Sequence, residues 1–225
     1  MHGHSTPSSK TMKTKQQIVS EFRRQEIINA ARSVFARHGF ANGIVDQIAT
    51  EAGLAKGTIY FYFESKDDVY RAVLEHDMEA LKSDSLRRID AAEGLKKKIR
   101  AFIDTRLENA EANREFFSLM DTESASLSFS GRQYRNWLQE PVRRLALAIQ
   151  EEFSKGSAFP SSAEKAAWVI VDITRGAIHR RMLGQCEVTL AEESEFLLNL
   201  IWSGLARSCA GQRRRQPRLS ARKAQ

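Results

Sequence analysis

The chain has 225 residues, 42% of them hydrophobic, enough for an ordinary core in one large domain or in a small and a medium one. Its longest apolar run, residues 166–171, falls far short of the roughly 20 residues a membrane-crossing helix needs, and no charged-then-apolar leader opens it, so the expectation is a soluble, cytoplasmic protein without a membrane partner. Cys186 and Cys209 lack metal-site or disulfide-framework spacing, and the formal charge of +7 sits in the ends: outside residues 1–20 and 207–225 there are 25 basic against 28 acidic residues, so net charge alone argues nothing about nucleic acid.

Residues 1–20 are rich in Ser, Thr, Lys and Gln without periodicity and read as a flexible basic arm, in which His2 and His4 are a chance pair rather than a metal site. From Glu21 onward Ile27, Ile28, Ala31, Val34 and Phe35 recur at helical steps, giving an amphipathic helix that Gly39 closes. After Ala41-Asn42-Gly43 come a short helix over 45–52, a turn at Gly53 and a second short helix over 56–62. Ser65, with Asp68 three residues on, caps a long helix whose stripe reads Val69, Ala72, Val73, His76, Ala80. Helical periodicity continues over about 94–113, 115–127, 131–154, 162–183 and 191–208, and no stretch alternates with period two long enough for a sheet. The fold class is therefore all-α: a three-helix module over 21–66, a larger helical bundle over 67–208 and a basic, disordered tail over 209–225, roughly nine or ten helices in all.

A helix-turn-helix needs a small residue where its helices cross, a residue able to take left-handed backbone angles in the turn, and apolar residues locking the second helix onto the first. Ala49, Gly53 and Ile59 meet these needs in order, with Ile48, Ala52 and Leu54 filling the interior. Together with Gly39-Phe40, Val45-Asp46-Gln47-Ile48-Ala49, Ala52-Gly53-Leu54-Ala55-Lys56-Gly57-Thr58-Ile59-Tyr60-Phe61-Tyr62-Phe63 and Ser65-Lys66, the stretch over about 22–72 resembles the N-terminal signature of TetR-family regulators of the AcrR kind. The resemblance implies a homodimer, a three-helix DNA-binding domain, and a C-terminal domain that binds a small effector and dimerises through its last two helices. Beyond that stretch only length and helical character agree with it.

Helix geometry and the resemblance together nominate the DNA-contacting residues. The second short helix begins near Lys56, so its first turn would enter the major groove and bring Ala55, Lys56, Gly57 and Thr58 to base edges, Lys56 foremost. Tyr60 and Tyr62 are expected on the exposed side, with Ile59 and Phe63 inward. In similar proteins the matching hydroxyls hold phosphates; packing against the first helix is the alternative. Lys66 can add its ammonium to a helix N-terminus at a phosphate, or be a solvated surface lysine. Asn42 and Gly43 stand where the family often has Thr or Ser, leaving an amide and a backbone N–H for that contact. Residues 21–70 hold six Lys or Arg against seven Asp or Glu, so non-specific attraction would lean on Lys10, Lys13, Lys15, Arg23 and Arg24.

In the bundle, Phe102, Phe116, Phe117, Met120, Phe129, Tyr134, Trp137 and Trp168 concentrate aromatic and sulfur-bearing side chains, each of them core or pocket lining. A ligand site between helices would draw on such residues with few polar groups. Phe102, Phe116, Phe117, Met120 and Trp137, with Arg106, Arg175 and His179 interrupting apolar stretches, form the candidate site for a moderately apolar small-molecule effector. Trp168, Val169, Ile173, Phe196, Leu197, Leu200 and Ile201, with Gly176 and Gly204 permitting close backbone approach, form the candidate homodimer interface.

An enzyme is disfavoured: there is no GxGxxG, P-loop, GxSxG or HExxH, carboxylates do not cluster, and His2, His4, His38, His76 and His179 are scattered, so no cofactor or metal is expected. A purely architectural DNA binder would carry its charge on the folded body and would not need the long bundle. What remains is a ligand-responsive transcriptional regulator, in this family most often a repressor, which binds a palindromic double-stranded operator and is released by its effector. An activator docks in the same way, so the sign of regulation stays open.

Overall fold

The structure is a computed structural model and describes residues 14–39, 44–114, 131–153 and 163–213. Among these residues there are eight helices and no strand: α1 Lys15–His38, α2 Ile44–Glu51, α3 Lys56–Tyr62, α4 Lys66–Ala91, α5 Leu95–Ala112, α6 Gly131–Phe153, α7 Ala163–Met182 and α8 Leu190–Arg213. The helix expected over 115–127 lies outside the described residues. The chain forms two compact units, residues 1–74 and 75–225, divided within α4.

In the first unit, α1 begins at Lys15 and not at Glu21, because Thr14 and Gln17 form a capping box: the Gln17 N–H donates to Thr14 Oγ1 at 3.3 Å and the Thr14 N–H to Gln17 Oε1 at 2.8 Å. A cap of this kind is worth about 0.5–2 kcal/mol. It extends the helix where no apolar stripe announces one: Ile18, Val19 and Phe22 are exposed, and residues 15–20 of the expected arm are helical. Burial starts at Ile27 and runs through Ile28, Ala31, Val34 and Phe35. The edge-on contact of Phe35 with Tyr70, centroids 5.1 Å apart, joins α1 to the first turns of α4, and Arg37 pairs with Glu51 of α2 at 2.8 Å.

Between α2 and α3 the chain reverses at Gly53, whose φ is +65°. The Leu54 N–H returns to the Ala49 carbonyl at 2.9 Å and the Gly53 N–H to the Thr50 carbonyl at 3.1 Å, which satisfies the last carbonyls of α2 in the geometry a left-handed residue makes possible. Ala49, Ile48 and Ile59 are buried around this turn.

Along α4 the expected stripe drifts. His76 is half-buried and Ala80 exposed, and burial instead follows Leu74, Met78, Leu81, Ser85 and Ile89. At about 100° per residue Ala80 returns to the face of Val69, whereas Leu74, Met78, Leu81, Ser85 and Ile89 lie roughly 120–200° away, so the buried face of α4 changes along its length.

The second unit packs α5 against α6, α7 and α8 around Phe102, Ile103, Leu107, Leu145, Ile149, Ile170 and Leu198. Polar ties cross it: the Ser194 hydroxyl donates to Asp104, Arg100 pairs with Glu195, Arg88 with Glu108 at 2.7 Å and Arg144 with Asp90 at 3.0 Å. A second capping box starts α8, where the Thr189 N–H and hydroxyl donate to Glu192 at 2.8 and 2.9 Å and hold its carboxyl below the usual carboxylate range. No described helix is long and apolar enough to cross a membrane.

A methyl group at Gly53 would meet no atom within 4 Å, so the expected cost of Gly53→Ala is conformational only, about 1–2 kcal/mol of unfolding free energy. Urea denaturation followed by circular dichroism measures it; unchanged stability would contradict the left-handed turn.

Candidate nucleic-acid interface and effector site

Helix α3 has seven residues and turns about 100° per residue, so Ile59, Tyr60, Phe61 and Tyr62 face four directions. Ile59 is 1% exposed, locked between α2 and α3, and Phe61, about 200° further round, is 80% exposed. Tyr60 is exposed as expected from the sequence, but Tyr62 is half-buried, its ring edge-on to Phe61 at 5.2 Å. The wheel explains the difference, since position 62 lies only about 60° from the buried Ile59. Phe63 is buried beneath the Arg24 guanidinium, 5.0 Å from its ring centroid.

Lys56 is exposed at the first turn of α3, and its ammonium lies 2.9 Å from Asp46 Oδ1 and donates to Asp46 Oδ2 at 3.0 Å. The hydrogen bond from Lys56 to Asp46, and then the charge of that carboxylate, raise the Lys56 pKa above its ordinary value. Without nucleic acid this cation is therefore already engaged, and reading a base means exchanging Asp46 for a base acceptor. The sequence pattern discloses neither this partner nor, without a helical wheel drawn for residues 56–62, the exposure of Phe61. Gly57 is exposed, and a methyl group added there would meet nothing within 4 Å, while Thr58 is half-buried. Lys66 is half-buried in the first turn of α4, beside Ser65, whose Oγ accepts from the Asp68 N–H at 3.1 Å. Asn42 and Gly43 lie outside the described residues.

In the second unit the structure brings two of the three polar effector candidates to one tyrosine. Arg106, on α5, is 6% exposed and donates through Nη2 to the Tyr134 hydroxyl of α6 at 2.8 Å, while its guanidinium lies 5.5 Å from the Phe102 centroid. The Arg175 guanidinium of α7 lies 5.8 Å from the Tyr134 ring centroid; it is otherwise exposed, with Asp172 at 3.7 Å. His179 is on the exposed side of α7, and Trp137 is half-buried on α6. Phe102 belongs to the core. Phe116, Phe117 and Met120 lie outside the described residues. Two surface grooves of about 390 Å³ each lie elsewhere, one lined by Val142, Ala146 and Trp168, the other by Leu95, Arg100 and Trp202. Among the described residues no group of three His, Cys, Asp or Glu is placed to hold a metal.

Of the expected interface residues, Val169, Phe196 and Leu200 are exposed, 53%, 60% and 52%, and Trp168 and Ile173 half-buried. Leu197 and Ile201 are buried in the protomer's own core, one residue round from the exposed pair, and support that surface from beneath. A methyl at Gly176 or Gly204 would meet nothing within 4 Å, so neither glycine serves a close approach within the protomer.

The family model described as "Bacterial regulatory proteins, tetR family" matches residues 27–73, the span from the buried half of α1 through the helix-turn-helix into α4. Over that span the chain carries the helix-turn-helix signature of TetR-family regulators and is similar to them. It is 23% identical over 145 residues to the uncharacterized HTH-type transcriptional regulator YfiR of Bacillus subtilis, covering 61% of this chain and 69% of that protein. To the HTH-type transcriptional repressor NicS of Pseudomonas putida it is 29% identical over 114 residues, 50% of this chain and 53% of that one. The structure of the transcriptional regulator FadR from Bacillus subtilis in complex with stearoyl-CoA superposes with a TM-score of 0.60 at 21% identity, covering 80% of this chain and 98% of that one, a likeness of fold.

The likeness over residues 27–73 gives two tests of these positions. Gly57→Ala meets no atom of the protein and favours helix by about 0.5–1 kcal/mol, so stability is expected to hold or rise while DNA affinity falls; unchanged affinity would remove Gly57 from the interface. Asp46→Asn removes an acid and frees the Lys56 ammonium, and is expected to tighten binding to arbitrary duplex several-fold at low salt by fluorescence anisotropy.

Proposed function

We propose that the protein is a ligand-responsive transcriptional repressor of the cytoplasm that binds an inverted-repeat DNA operator as a homodimer and leaves it when a small-molecule effector binds. The observation that carries this reading is the reading head itself: α3 is held from below by Ile59 and presents Tyr60, Phe61, Gly57 and Lys56 outward. In this reading the first turn of α3 enters the major groove with Lys56, Gly57 and Thr58 at base edges. Tyr60, Tyr62 and Lys66 hold phosphates, joined by Asn42 and Gly43. The description of NicS as a repressor and the stearoyl-CoA held by the FadR structure support, by likeness, a repressor with a small-molecule effector.

A seven-residue helix reads only a few base pairs, so useful specificity calls for two heads, and a two-fold dimer sees equivalent half-sites. The exposed Val169, Phe196 and Leu200 on α7 and α8 are the apolar surface proposed for that dimer, with Gly176 and Gly204 admitting the backbone of the second copy. The candidate effector residues on α5, α6 and α7 belong to the second unit, and α4 runs from one unit into the other, so ligand control is proposed to act through α4 on the spacing of the two heads. Effector and DNA would then oppose each other by one coupling energy, typically about 1–3 kcal/mol.

The double variant Phe196→Glu, Leu200→Glu is expected to sediment as a folded monomer and to bind its DNA site about 100-fold or more weakly, through loss of bivalency. A variant that stayed dimeric would place the interface elsewhere, and a monomer with undiminished affinity would reject the paired heads.

A further inference from the structure

Among the described residues two arginine guanidiniums are buried, Arg106 and Arg181, and their surroundings differ. Arg181 ties the fold together: its Nη1 donates to the Val188 carbonyl at 2.8 Å, its Nε faces Glu111 at 3.7 Å, and its own carbonyl accepts from Arg114 at 2.6 Å. Arg106 has no carboxylate of the described residues within ion-pair distance. Among the described residues its one polar contact is the Tyr134 hydroxyl at 2.8 Å; its buried Nε, like that of Arg181, has no hydrogen-bond partner among them, but Arg181 has Glu111 beside it and Arg106 has no acid. The Phe102 ring centroid lies 5.5 Å from its guanidinium, and a second cation, Arg175, stands over the ring of the same Tyr134 at 5.8 Å. Two guanidiniums thus meet at one phenol, and among the described residues a single acid, the exposed Asp172, lies beside the outer one.

A buried, unpaired cation opposes folding, and an apolar side chain of similar volume would fill the same space without that penalty. A tyrosine hydroxyl does not supply a counter-charge. We propose that the effector supplies it: the site between α5, α6 and α7 takes an apolar small molecule bearing one oxyanion, a carboxylate or a phosphate ester, bound by the Arg106 guanidinium, with Phe102 and Tyr134 beside it. The planar fork of an arginine matches either group. This rests on the reading of the chain as ligand-responsive and sharpens it from a moderately apolar effector to an anionic one.

Arg106→Met removes the charge while keeping the length of the side chain. Ligand-free, the variant is expected to unfold at a higher urea concentration than the wild type; an arginine with a structural role gives the opposite, and a lower midpoint overturns the proposal. Binding is read by titration calorimetry at pH 7 on two skeletons: decanoate, decyl phosphate and decanol, and 2-naphthoate, 2-naphthyl phosphate and 2-naphthol. On at least one skeleton the wild type is expected to bind an acid about tenfold or more tighter than its alcohol. The order of carboxylate and phosphate identifies the source of the oxyanion. Arg106→Met and Arg106→Gln are expected to level acid and alcohol, while Arg106→Lys retains part of the preference. Equal binding of acid and alcohol, no binding of any acid, or a preference surviving in Arg106→Met overturns the proposal. If an acid binds through Arg106 but leaves affinity for the protein's DNA site unchanged, ligand control falls and the anion site stands. If a neutral molecule binds there and releases the DNA, ligand control stands and the anion site falls.

Discussion

Helix α3 cannot hold itself. Seven residues are well below the roughly 12–15 at which an isolated helix becomes even marginal in water, so its existence depends on burying Ile59 and Phe63. Everything the helix offers outward follows from that lock. Gly53 turns the chain between α2 and α3, Ile48, Ala49 and Ile59 are buried on the two helices it joins, and the Asp46–Lys56 ion pair spans those helices at the surface. Because one face is consumed by the lock, the positions about 100° and 200° round from Ile59 are turned outward, and these are Tyr60 and Phe61.

The second unit presents the opposite problem, a polar group where packing alone would have chosen an apolar one. Several of its buried polar side chains are hydrogen-bonded, Thr105 and Thr174 within their own helices to the Ala101 and Ile170 carbonyls and Ser194 across helices to Asp104. Arg106 differs, since taking a full charge out of water costs on the order of several kcal/mol and one tyrosine hydroxyl returns little of it.

Local patterns in the sequence carry far. The bounds of α3 follow directly from residues 56–62, since the Gly53 turn and Ser65 cap fix both ends; the motif spacing of Ala49, Gly53 and Ile59 locates the module that the family match covers. Patterns fail where a helix is stabilised by something other than an apolar stripe. The Thr14–Gln17 cap starts α1 over residues with no buried face, and carrying the face of Val69 along α4 leads to Ala80, which is exposed because the buried face has changed. Long-range partners are illegible. Nothing in the spacing of Arg106, Tyr134 and Arg175 announces that three helices bring them together, and Leu197 and Ile201 read as interface although they face the protomer's own core. An apolar residue on a helix shows that it is buried against something, and the sequence does not say against which surface.

The central claim is that this chain recognises a particular DNA sequence through two equivalent heads. Selection of bound duplexes from a random-sequence pool, followed by footprinting of the enriched site, tests it most directly. The account predicts enrichment of an inverted repeat with half-sites about 34–36 Å apart or a multiple of that distance, protected symmetrically by two copies of the chain. A pool that remains random after repeated rounds, with binding that vanishes as salt is raised, would contradict it.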